Sequence, residues 1–288
     1  MKNALSILKE TITIVAISLY SMTVLAAPNN SHRIVSAGSG VTEIIYALGA
    51  GDQVVAVDSN SAYPNAVHKL PKLGYHKNMS AEGILALNPS IMIGTDDMGP
   101  SATIAQLKDA GLTVMPLFIE NSTENIQQRI ETLATLLKRE HQGQQLWKTI
   151  SKDLVAAKAL SGQHKKPKVL FMLAMGGRVP SVSGSDTAAN TLIELAGGIN
   201  PAAEQYSSYK PLSNEALLMM SPDFVIYADD GNGMTDEQFI AMQPILKQTP
   251  AGKKGHLIAI DPGLLLGGLG PRTGEQALKL AKAFFPSE

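Results

Sequence analysis

The sequence contains no cysteine among its 288 residues. A chain without cysteine forms no disulfide and offers no thiol for attachment of a lipid, so its packed core must hold the fold together. Histidine is scarce as well. The six histidines show no His-x-x-x-His or His-x-His spacing, which leaves a structural zinc site with little support.

Charge of either sign is also in short supply. Charged residues make up 17% of the chain and the net charge at pH 7 is −1, so the basic excess typical of nucleic-acid-binding proteins is missing. Aromatic residues account for only 5%, which makes each tyrosine near a candidate site informative. The hydrophobic content of 44% is that of a globular protein, and the length suits one large domain or two smaller lobes.

The amino-terminal segment has the pattern of a cleavable signal peptide. Lys2 and Lys9 precede the apolar run TITIVAISLYSMTVLA, and small residues follow at Ala26 and Ala27. The run has 16 residues, fewer than the ~20 that a membrane-spanning helix needs. We therefore predict that residues 1–26 are a signal peptide, with cleavage after Ala26 or Ala27, and that the mature protein is free in a bacterial periplasm.

Short β-branched runs alternate with helical patterns along the rest of the chain. The predicted strands are residues 33–37, 53–58, 90–95, 112–118, 168–173, 224–229 and 256–261. This alternation predicts an α/β fold with mainly parallel sheets. The SAGSG turn after the first strand lacks the full Gly-x-Gly-x-x-Gly spacing, so it is weak evidence for a dinucleotide site.

A stretch between the two sets of strands has a different character. Residues 123–161 contain no proline, and their apolar side chains recur at helical spacing. We expect two helices here that meet near Gly143. The predicted fold is therefore α/β, with two Rossmann-like lobes joined by a long helical connector. The predicted divisions are 27–122 for the N-terminal lobe, 123–163 for the connector and 164–288 for the C-terminal lobe.

The two predicted lobes share a sequence repeat. Residues 80–93 read SAEGILALNPSIMI and residues 213–226 read SNEALLMMSPDFVI, with Ser, Glu, Leu, Pro and Ile at matching positions. Each repeat predicts a helix, a turn and a strand, with the serine as N-cap. Glu82 and Glu215 stand two residues after the serine. There a carboxylate can favour the helix dipole or serve a function, and the sequence physics leaves both interpretations open.

One segment concentrates groups that could bind a ligand. The stretch KLGYHKNMSAEGILALNP places Tyr75, His76 and Lys77 directly before the first repeat. A phenolate is a hard anionic oxygen donor that suits ferric iron, and tyrosine is an established type of haem ligand. A cation close to the phenol favours its ionised form, which gives Lys77 a possible part in the site. The alternative is that Tyr75 is a half-buried packing residue.

Several segments together make the chain resemble class III substrate-binding proteins of ABC importers, in particular the periplasmic hemin-binding branch. They are VTEIIYALGAGDQVVAVD, SAYP, LGYHKNMSAEGILALNP, SGSDTAANTLIELAGGIN, YKPLSNEALLMMSPD and GLGPRTGEQALKLA. The Ser-x-Glu units and the connector are shared across the class, cobalamin and siderophore binders included. The Gly-Tyr element and GPRTGEQAL are the features that resemble the hemin binders. This resemblance implies a monomeric binding protein, not an enzyme, that delivers heme to an ABC permease and its ATPase.

The resemblance also implies roles for individual residues. Tyr75 would be the axial ligand of the heme iron, flanked by His76 and Lys77. The hemin-binding branch often has arginine where this chain has Lys77, and a lysine offers a point charge without the two-pronged fork of a guanidinium. Glu82 and Glu215 would meet arginines of the permease, one from each lobe.

The resemblance suggests further ligand contacts. Met175 stands where some relatives carry a histidine that faces the heme, and we expect it to form an apolar wall. Tyr63 is expected at the rim of the first lobe. The candidates for pairing with the heme propionates are Arg178, Tyr209, Lys210 and Arg272, because carboxylates bind arginine, lysine and hydroxyl donors.

Two other functions stay open. An iron–siderophore or cobalamin carrier of the same class would not need the phenolate of Tyr75. A secreted α/β enzyme could use Glu82 or Asp58 with His76 as acid and base. The sequence contains neither a nucleophile elbow nor a paired-carboxylate spacing in support of an enzyme.

Overall fold

The computed structural model of the chain describes residues 32–162, 164–173, 180–228 and 233–286. The predicted signal peptide, Met175 and Arg178 lie outside these residues. Within the described ranges, none of the helices has the length and the apolar character that a membrane-spanning segment requires.

The first sheet has four parallel strands in the order β2–β1–β3–β4. Their bounds are β1 Ile34–Ala37, β2 Val54–Val57, β3 Ile91–Thr95 and β4 Thr113–Leu117. Every residue of β1 and β3 is buried, as expected for central strands of a parallel sheet that is covered on both faces. The four strands predicted in this half of the chain are confirmed.

The second sheet has five strands in the order β7–β6–β5–β8–β9. Their bounds are β5 Val169–Leu173, β6 Ser181–Ser183, β7 Tyr209–Pro211, β8 Phe224–Ala228 and β9 Leu257–Ile260. Strands β5, β8 and β9 pair in parallel and match the predicted ones, whereas β6 and β7 add antiparallel pairs at one edge. The prediction of mainly parallel sheets is confirmed. Strands β6 and β7 were not predicted, because three residues are too few to show a strand periodicity.

Ten α-helices lie in the described residues. They are α1 Ser39–Ala47, α2 Ala81–Leu85, α3 Ser101–Asp109, α4 Thr123–Leu137, α5 Glu140–Ser161, α6 Ala188–Leu195, α7 Asn214–Met220, α8 Asp236–Met242, α9 Pro250–Lys254 and α10 Thr273–Phe284. We call the first sheet with its helices the N-terminal lobe and the second sheet with its helices the C-terminal lobe. Helices α4 and α5 form the connector between them.

The connector helices meet at a different residue from the one predicted. Helix α4 ends at Leu137, and Lys138 takes a left-handed conformation with φ of 55° before α5 begins. Gly143 lies inside α5, where a Cβ atom would come within 2.7 Å of the Cβ of Ala134. The glycine therefore allows close packing of the two helices and does not separate them. The two predicted connector helices are confirmed, but their junction lies at Lys138 and Arg139 and not at Gly143, because close packing uses the same residue type as a helix end.

Apolar side chains cover both faces of each sheet. On the first sheet, one cluster includes Ile44 of α1 and Ile130 of α4, and another on β1 and β3 includes Leu107 of α3. On the second sheet, Leu280 of α10 belongs to one cluster and Phe239 of α8 to the other. Each fully buried side chain of this size contributes roughly 1.5–3 kcal/mol. With the faces covered, loops at the carboxyl ends of the strands remain for binding, as is general for open α/β sheets.

Candidate ligand-binding cleft

A cleft between the lobes contains the residues singled out in the Gly-Tyr segment. Its cavity of about 200 Å³ is lined by Tyr75, His76, Lys77, Asp97, Phe171, Leu173, Tyr209, Pro262, Leu265, Leu266 and Gly267. A second cavity of about 470 Å³ adjoins it and shares five of these residues. A larger groove of about 540 Å³ runs between α4 and α5, but it shares no residue with the cleft. We take the cleft as the candidate site because aromatic and aliphatic walls converge there with a few polar groups.

The loop that carries Tyr75 is fixed by backbone hydrogen bonds on both sides. The Leu73 amide donates to Val57 O at 2.9 Å, and the Ser59 amide donates to Gly74 O at 2.8 Å. The Asn78 amide closes a turn onto Tyr75 O at 2.7 Å. Gly74 itself has φ of 84°, a conformation that side chains disfavour. The glycine before the tyrosine is therefore a conformational requirement of the loop.

Tyr75 faces solvent in the cleft, while its neighbour His76 is buried. Tyr75 is 45% exposed and His76 only 5%. The two rings meet edge to face, with centroids 4.5 Å apart. His76 lies between two carboxylates, with Nδ1 3.8 Å from Asp58 and Nε2 3.4 Å from Asp97. Nδ1 has no hydrogen-bond partner in the part of the chain that the structure describes. The buried imidazole thus packs against the ring of Tyr75 on the side away from solvent.

Lys77 is paired with a carboxylate at the end of β3. Its Nζ lies 2.6 Å from Asp97 Oδ2, and the Thr95 hydroxyl donates to Asp97 Oδ1 at 2.6 Å. The hydrogen bond with Asp97 raises the pKa of Lys77. Burial works to raise the pKa of Asp97, but the hydrogen bonds from Lys77 and Thr95 outweigh it and lower that pKa. Lys77 therefore reaches the cleft as half of an ion pair and not as a free cation.

The opposite wall presents a second tyrosine in a drier environment. Tyr209, in β7, packs edge to face on Phe171 with ring centroids 6.3 Å apart. Burial raises the pKa of Tyr209 to about 12. Its phenol therefore stays neutral at physiological pH and can donate a hydrogen bond. Lys210, the next residue of the strand, is exposed and does not line either cavity.

Arg272 and Tyr63 lie together outside the lining of the cleft. The guanidinium of Arg272 bonds both carboxylate oxygens of Glu43 and one of Asp261. It also lies 4.2 Å from the centroid of the Tyr63 ring. The structure thus does not bring these two residues to the cavity that contains Tyr75 and Tyr209.

Sequence reasoning missed part of the lining. Asp97, Phe171 and the loop residues Leu265 and Leu266 all face the cleft. Asp97 follows a predicted strand by two residues, which is where α/β sheets place ligand-binding groups, so that position was a usable signal. Leu265 and Leu266 gave no such signal, because a pair of apolar residues in a loop cannot be distinguished in sequence from residues of the hydrophobic core.

The two repeated glutamates occupy equivalent positions in the two lobes. Each is exposed and lies in the first turn of a short helix, Glu82 in α2 and Glu215 in α7. The N-cap serines accept the expected amide hydrogen bonds, at 3.4 Å in α2 and 3.2 Å in α7. Hydrogen bonds from its own backbone amide and from Ser213 lower the pKa of Glu215. The predicted serine caps are confirmed, and each carboxylate projects from its lobe toward solvent.

A comparison with known protein families identifies the fold. The family model described as periplasmic binding protein matches residues 34–264. The chain belongs to the periplasmic binding protein family. The family consists of binding proteins, which confirms the expectation that the protein is not an enzyme.

Solved structures of heme binders are among the similar periplasmic binding proteins. The chain is 38% identical to the periplasmic heme-binding protein HutB of Vibrio cholerae, with a TM-score of 0.82 over 89% of this chain and 100% of that one. It is also 38% identical to the periplasmic heme-binding protein RhuT of Roseiflexus sp. RS-1, with a TM-score of 0.80 over 89% and 98%.

Curated relatives are more distant. An uncharacterised ABC transporter substrate-binding lipoprotein of Bacillus subtilis, YvrC, is 30% identical and covers 88% of this chain and 80% of its own length. A vitamin B12-binding protein of Vibrio parahaemolyticus is 25% identical and covers 80% and 81%. The resemblance to substrate-binding proteins of ABC importers is therefore confirmed.

Proposed function

We propose that this periplasmic binding protein captures heme in the cleft between its lobes and delivers it to an ABC permease. The observation that carries the proposal is the position of Tyr75. A phenol that is nearly half exposed stands on a rigid loop at the mouth of an otherwise largely apolar cavity. The 38% identity to two structures of heme-binding proteins supports the same ligand.

Of the two cleft tyrosines, Tyr75 suits the iron better. The phenol of Tyr75 is nearly half exposed and lies beside the His76 ring and the Lys77–Asp97 ion pair, and such a polar setting suits an anionic oxygen ligand better than an apolar one. Tyr209 is mostly buried against Phe171, and burial holds its phenol neutral. Tyr75 would therefore bind ferric iron as phenolate, while Tyr209 would donate a hydrogen bond to the ligand.

The remaining lining suits a flat macrocycle. Phe171, Leu173, Leu265 and Leu266 offer apolar surface to a porphyrin face, and their desolvation on binding is favourable. Lys77 and His76 would stay beside the ligated phenolate. Met175 and Arg178 remain proposed contacts from sequence alone.

We also propose that Glu82 and Glu215 dock the protein on the permease. Both are exposed, both begin a capped helix, and the two lobes repeat the arrangement. Exposed carboxylates in this setting suit pairing with arginines of a membrane partner. In the same proposal, residues 1–26 direct the chain to the periplasm, where the protein is a monomer. Residues 27–122 are its N-terminal lobe, 123–163 its connector and 164–288 its C-terminal lobe.

A second candidate ligand is cobalamin. It is favoured by the relatives of 25% identity that are vitamin B12-binding proteins. A cobalamin carrier would have no need of a phenolate, so the behaviour of Tyr75 separates the two candidates.

The decisive experiment is a titration of the purified protein with hemin and, separately, with hydroxocobalamin. We expect hemin to bind with the absorption bands of a phenolate-ligated ferric centre. Tyr75→Phe, which removes only the oxygen, should lose those bands and weaken binding strongly. Tyr209→Phe is the matched control: it removes the other cleft phenol and should keep the bands. Parent-like hemin spectra in Tyr75→Phe, or binding of hydroxocobalamin alone, would contradict the proposal.

A further inference from the structure

One loop of the C-terminal lobe is hydrogen-bonded to both the N-terminal lobe and the connector. Residues 262–272, which we call the strap, lead from the end of β9 to the start of α10. Ser39 of α1 donates its hydroxyl hydrogen bond to Gly263 O at 3.1 Å. Arg129 of the connector donates from Nη2 to Leu269 O. The strap is thus hydrogen-bonded to the N-terminal lobe near its start and to the connector near its end.

Two glycines allow the strap to lie against the N-terminal lobe. Gly267 and Gly268 have φ of 79° and 83°. A Cβ atom on Gly268 would come within 2.6 Å of Cγ2 of Ile119, and one on Gly267 within 3.4 Å of the Ser39 amide nitrogen. At Gly268 the strap therefore lies too close to the N-terminal lobe for a side chain to fit, whereas Gly267 makes an ordinary contact there.

The strap ends in a buried ion pair between the lobes. Arg272 donates from Nε to Glu43 Oε2 at 2.9 Å and from Nη2 to Glu43 Oε1 at 2.5 Å, a two-pronged contact. Nη1 donates to Asp261 at 2.8 Å. Glu43 is only 4% exposed, and burial raises its pKa. We take Glu43 as ionised because a guanidinium, charged at any physiological pH, meets both of its oxygens.

Arg129 adds a buried cation to the same attachment. It is 2% exposed, and in the described residues its Nε and Nη1 have no hydrogen-bond partner. Burial lowers the pKa of Arg129 to about 10, so the group is still charged at neutral pH. Its Nη1 and Gly267 O each lie 3.3 Å from the point where a Cβ on Gly40 would stand. The guanidinium therefore lies against the strap, and its recorded hydrogen bond there is the one from Nη2 to Leu269 O.

The strap also forms part of the cleft wall, through Pro262, Leu265, Leu266 and Gly267. We infer that the strap pins this wall to the N-terminal lobe, and that Arg272 is a positioning residue that governs ligand retention through Glu43 without touching the ligand. The inference rests on the proposed function only in taking the cleft as the place where a ligand binds. It replaces the expectation that Arg272 pairs with a propionate.

The two roles of Arg272 predict different ligand dependence. A residue that pairs with propionates matters for hemin and not for heme dimethyl ester, whose carboxylates are blocked. A residue that positions the wall matters for both. Glu43→Gln makes the contrast sharper, because it would free Arg272 for a propionate in the first case and loosen the wall in the second.

The kinetic test measures dissociation of hemin and of heme dimethyl ester by stopped flow in Arg272→Gln, Glu43→Gln and the double variant. We expect both ligands to leave faster by a similar factor, on the order of tenfold. The double variant should be little worse than either single one, because both remove the same contact. Lys279→Gln, an exposed charge loss on α10, is the control and should match the parent. Faster release of hemin alone, or no change, would overturn the inference.

A second measurement needs no ligand. Hydrogen–deuterium exchange of the ligand-free protein should speed up in residues 262–271 and in the first turn of α1 when Arg272 is changed to Gln. Ser39→Ala, which removes only the bond to Gly263 O, serves if the ion-pair variants fail to fold, and should show a smaller change in the same peptides. Unchanged exchange in either variant would overturn the inference that the strap pins the cleft wall to the N-terminal lobe. Failure of the parent protein to bind hemin would instead overturn the proposed function and leave this readout valid.

Discussion

The ammonium group of Lys77 lies 2.6 Å from a carboxylate oxygen of Asp97, across the loop that carries Tyr75. The same carboxylate lies 3.4 Å from Nε2 of His76. The cation that the sequence places two residues after the proposed iron ligand is thus balanced by an acid from the end of β3. The charge next to Tyr75 is set by the three groups jointly.

This pairing predicts the effect of changing Asp97 to Asn. The change frees the Lys77 ammonium and removes a negative charge near the phenol, and both effects favour the phenolate. We expect the ferric-phenolate complex with hemin to persist to lower pH than in the parent, by at least several tenths of a pH unit on the scale set by neighbouring charges. The measurement is a pH titration of the absorption bands of the complex.

The control for this prediction is Asp96→Asn, which removes a neighbouring exposed acid and leaves the pair intact. It should shift the titration less. A complex that dissociates at the same or a higher pH in Asp97→Asn would show that the ion pair does not restrain the phenolate.

The directions of the two pKa shifts define the pH range over which the ion pair between Lys77 and Asp97 is intact. The pKa of Asp97 is lowered, so its contribution to stability is present above the unfolded value of ~3.9 and is lost as the pH falls through the folded value. The pKa of Lys77 is raised, so its contribution is present below ~10.4 and is lost as the pH rises through the folded value. The pair therefore persists across neutral pH. Both groups are about half exposed, so its effect on overall stability is small.

Much of the fold could be predicted because the sheets are buried. Central parallel strands read as continuous apolar runs, and all seven predicted strands exist in the structure. Strands β6 and β7 were missed because strands of three residues depend on pairing with a neighbour and carry no pattern of their own. The place where α4 meets α5 was missed because Gly143 serves packing against Ala134.

The site was less predictable than the fold, since its contacts are distant in sequence. Tyr75, His76 and Lys77 form one local motif and could be recognised together. Arg272 could not be interpreted from sequence, because its partner Glu43 comes from the opposite end of the chain. An arginine near a binding motif looks the same whether it contacts a ligand or another lobe.

The connector and the strap together predict little movement between the lobes. Helix α10 packs on α5 so closely that a Cβ on Gly274 would come within 2.6 Å of Ile150 O, and the strap bonds the lobes a second time near the cleft. We expect small-angle scattering curves with and without hemin to nearly superimpose. The matched comparison is Arg272→Gln, in which the hemin-dependent change should become larger. A contraction of several ångströms in the parent radius of gyration on hemin binding would contradict a rigid pair of lobes.

The repeated glutamates give the sharpest test of delivery to the permease. If Glu82 and Glu215 only favour their helix dipoles, each change to Gln should lower the melting temperature slightly and leave transport unchanged. If they dock, each variant should bind hemin and melt like the parent but deliver hemin poorly, since a desolvated carboxylate paired with arginine can be worth ~2–5 kcal/mol on truncation.

The double variant should be far worse than either single one, because each docked lobe raises the effective concentration of the other at the permease. The measurement is hemin-dependent ATPase activity or uptake in vesicles that contain the cognate permease.

Glu237→Gln is the matched control, because Glu237 is likewise an exposed carboxylate in the first turn of a capped helix, yet it lies outside the repeat. Its pKa is lowered by the same causes as that of Glu215, a backbone hydrogen bond and then the capping side chain, so loss of its charge has a comparable local effect. Parent rates in the Glu82→Gln, Glu215→Gln double variant, or an equal loss in Glu237→Gln, would return both repeated glutamates to a role in helix stability alone.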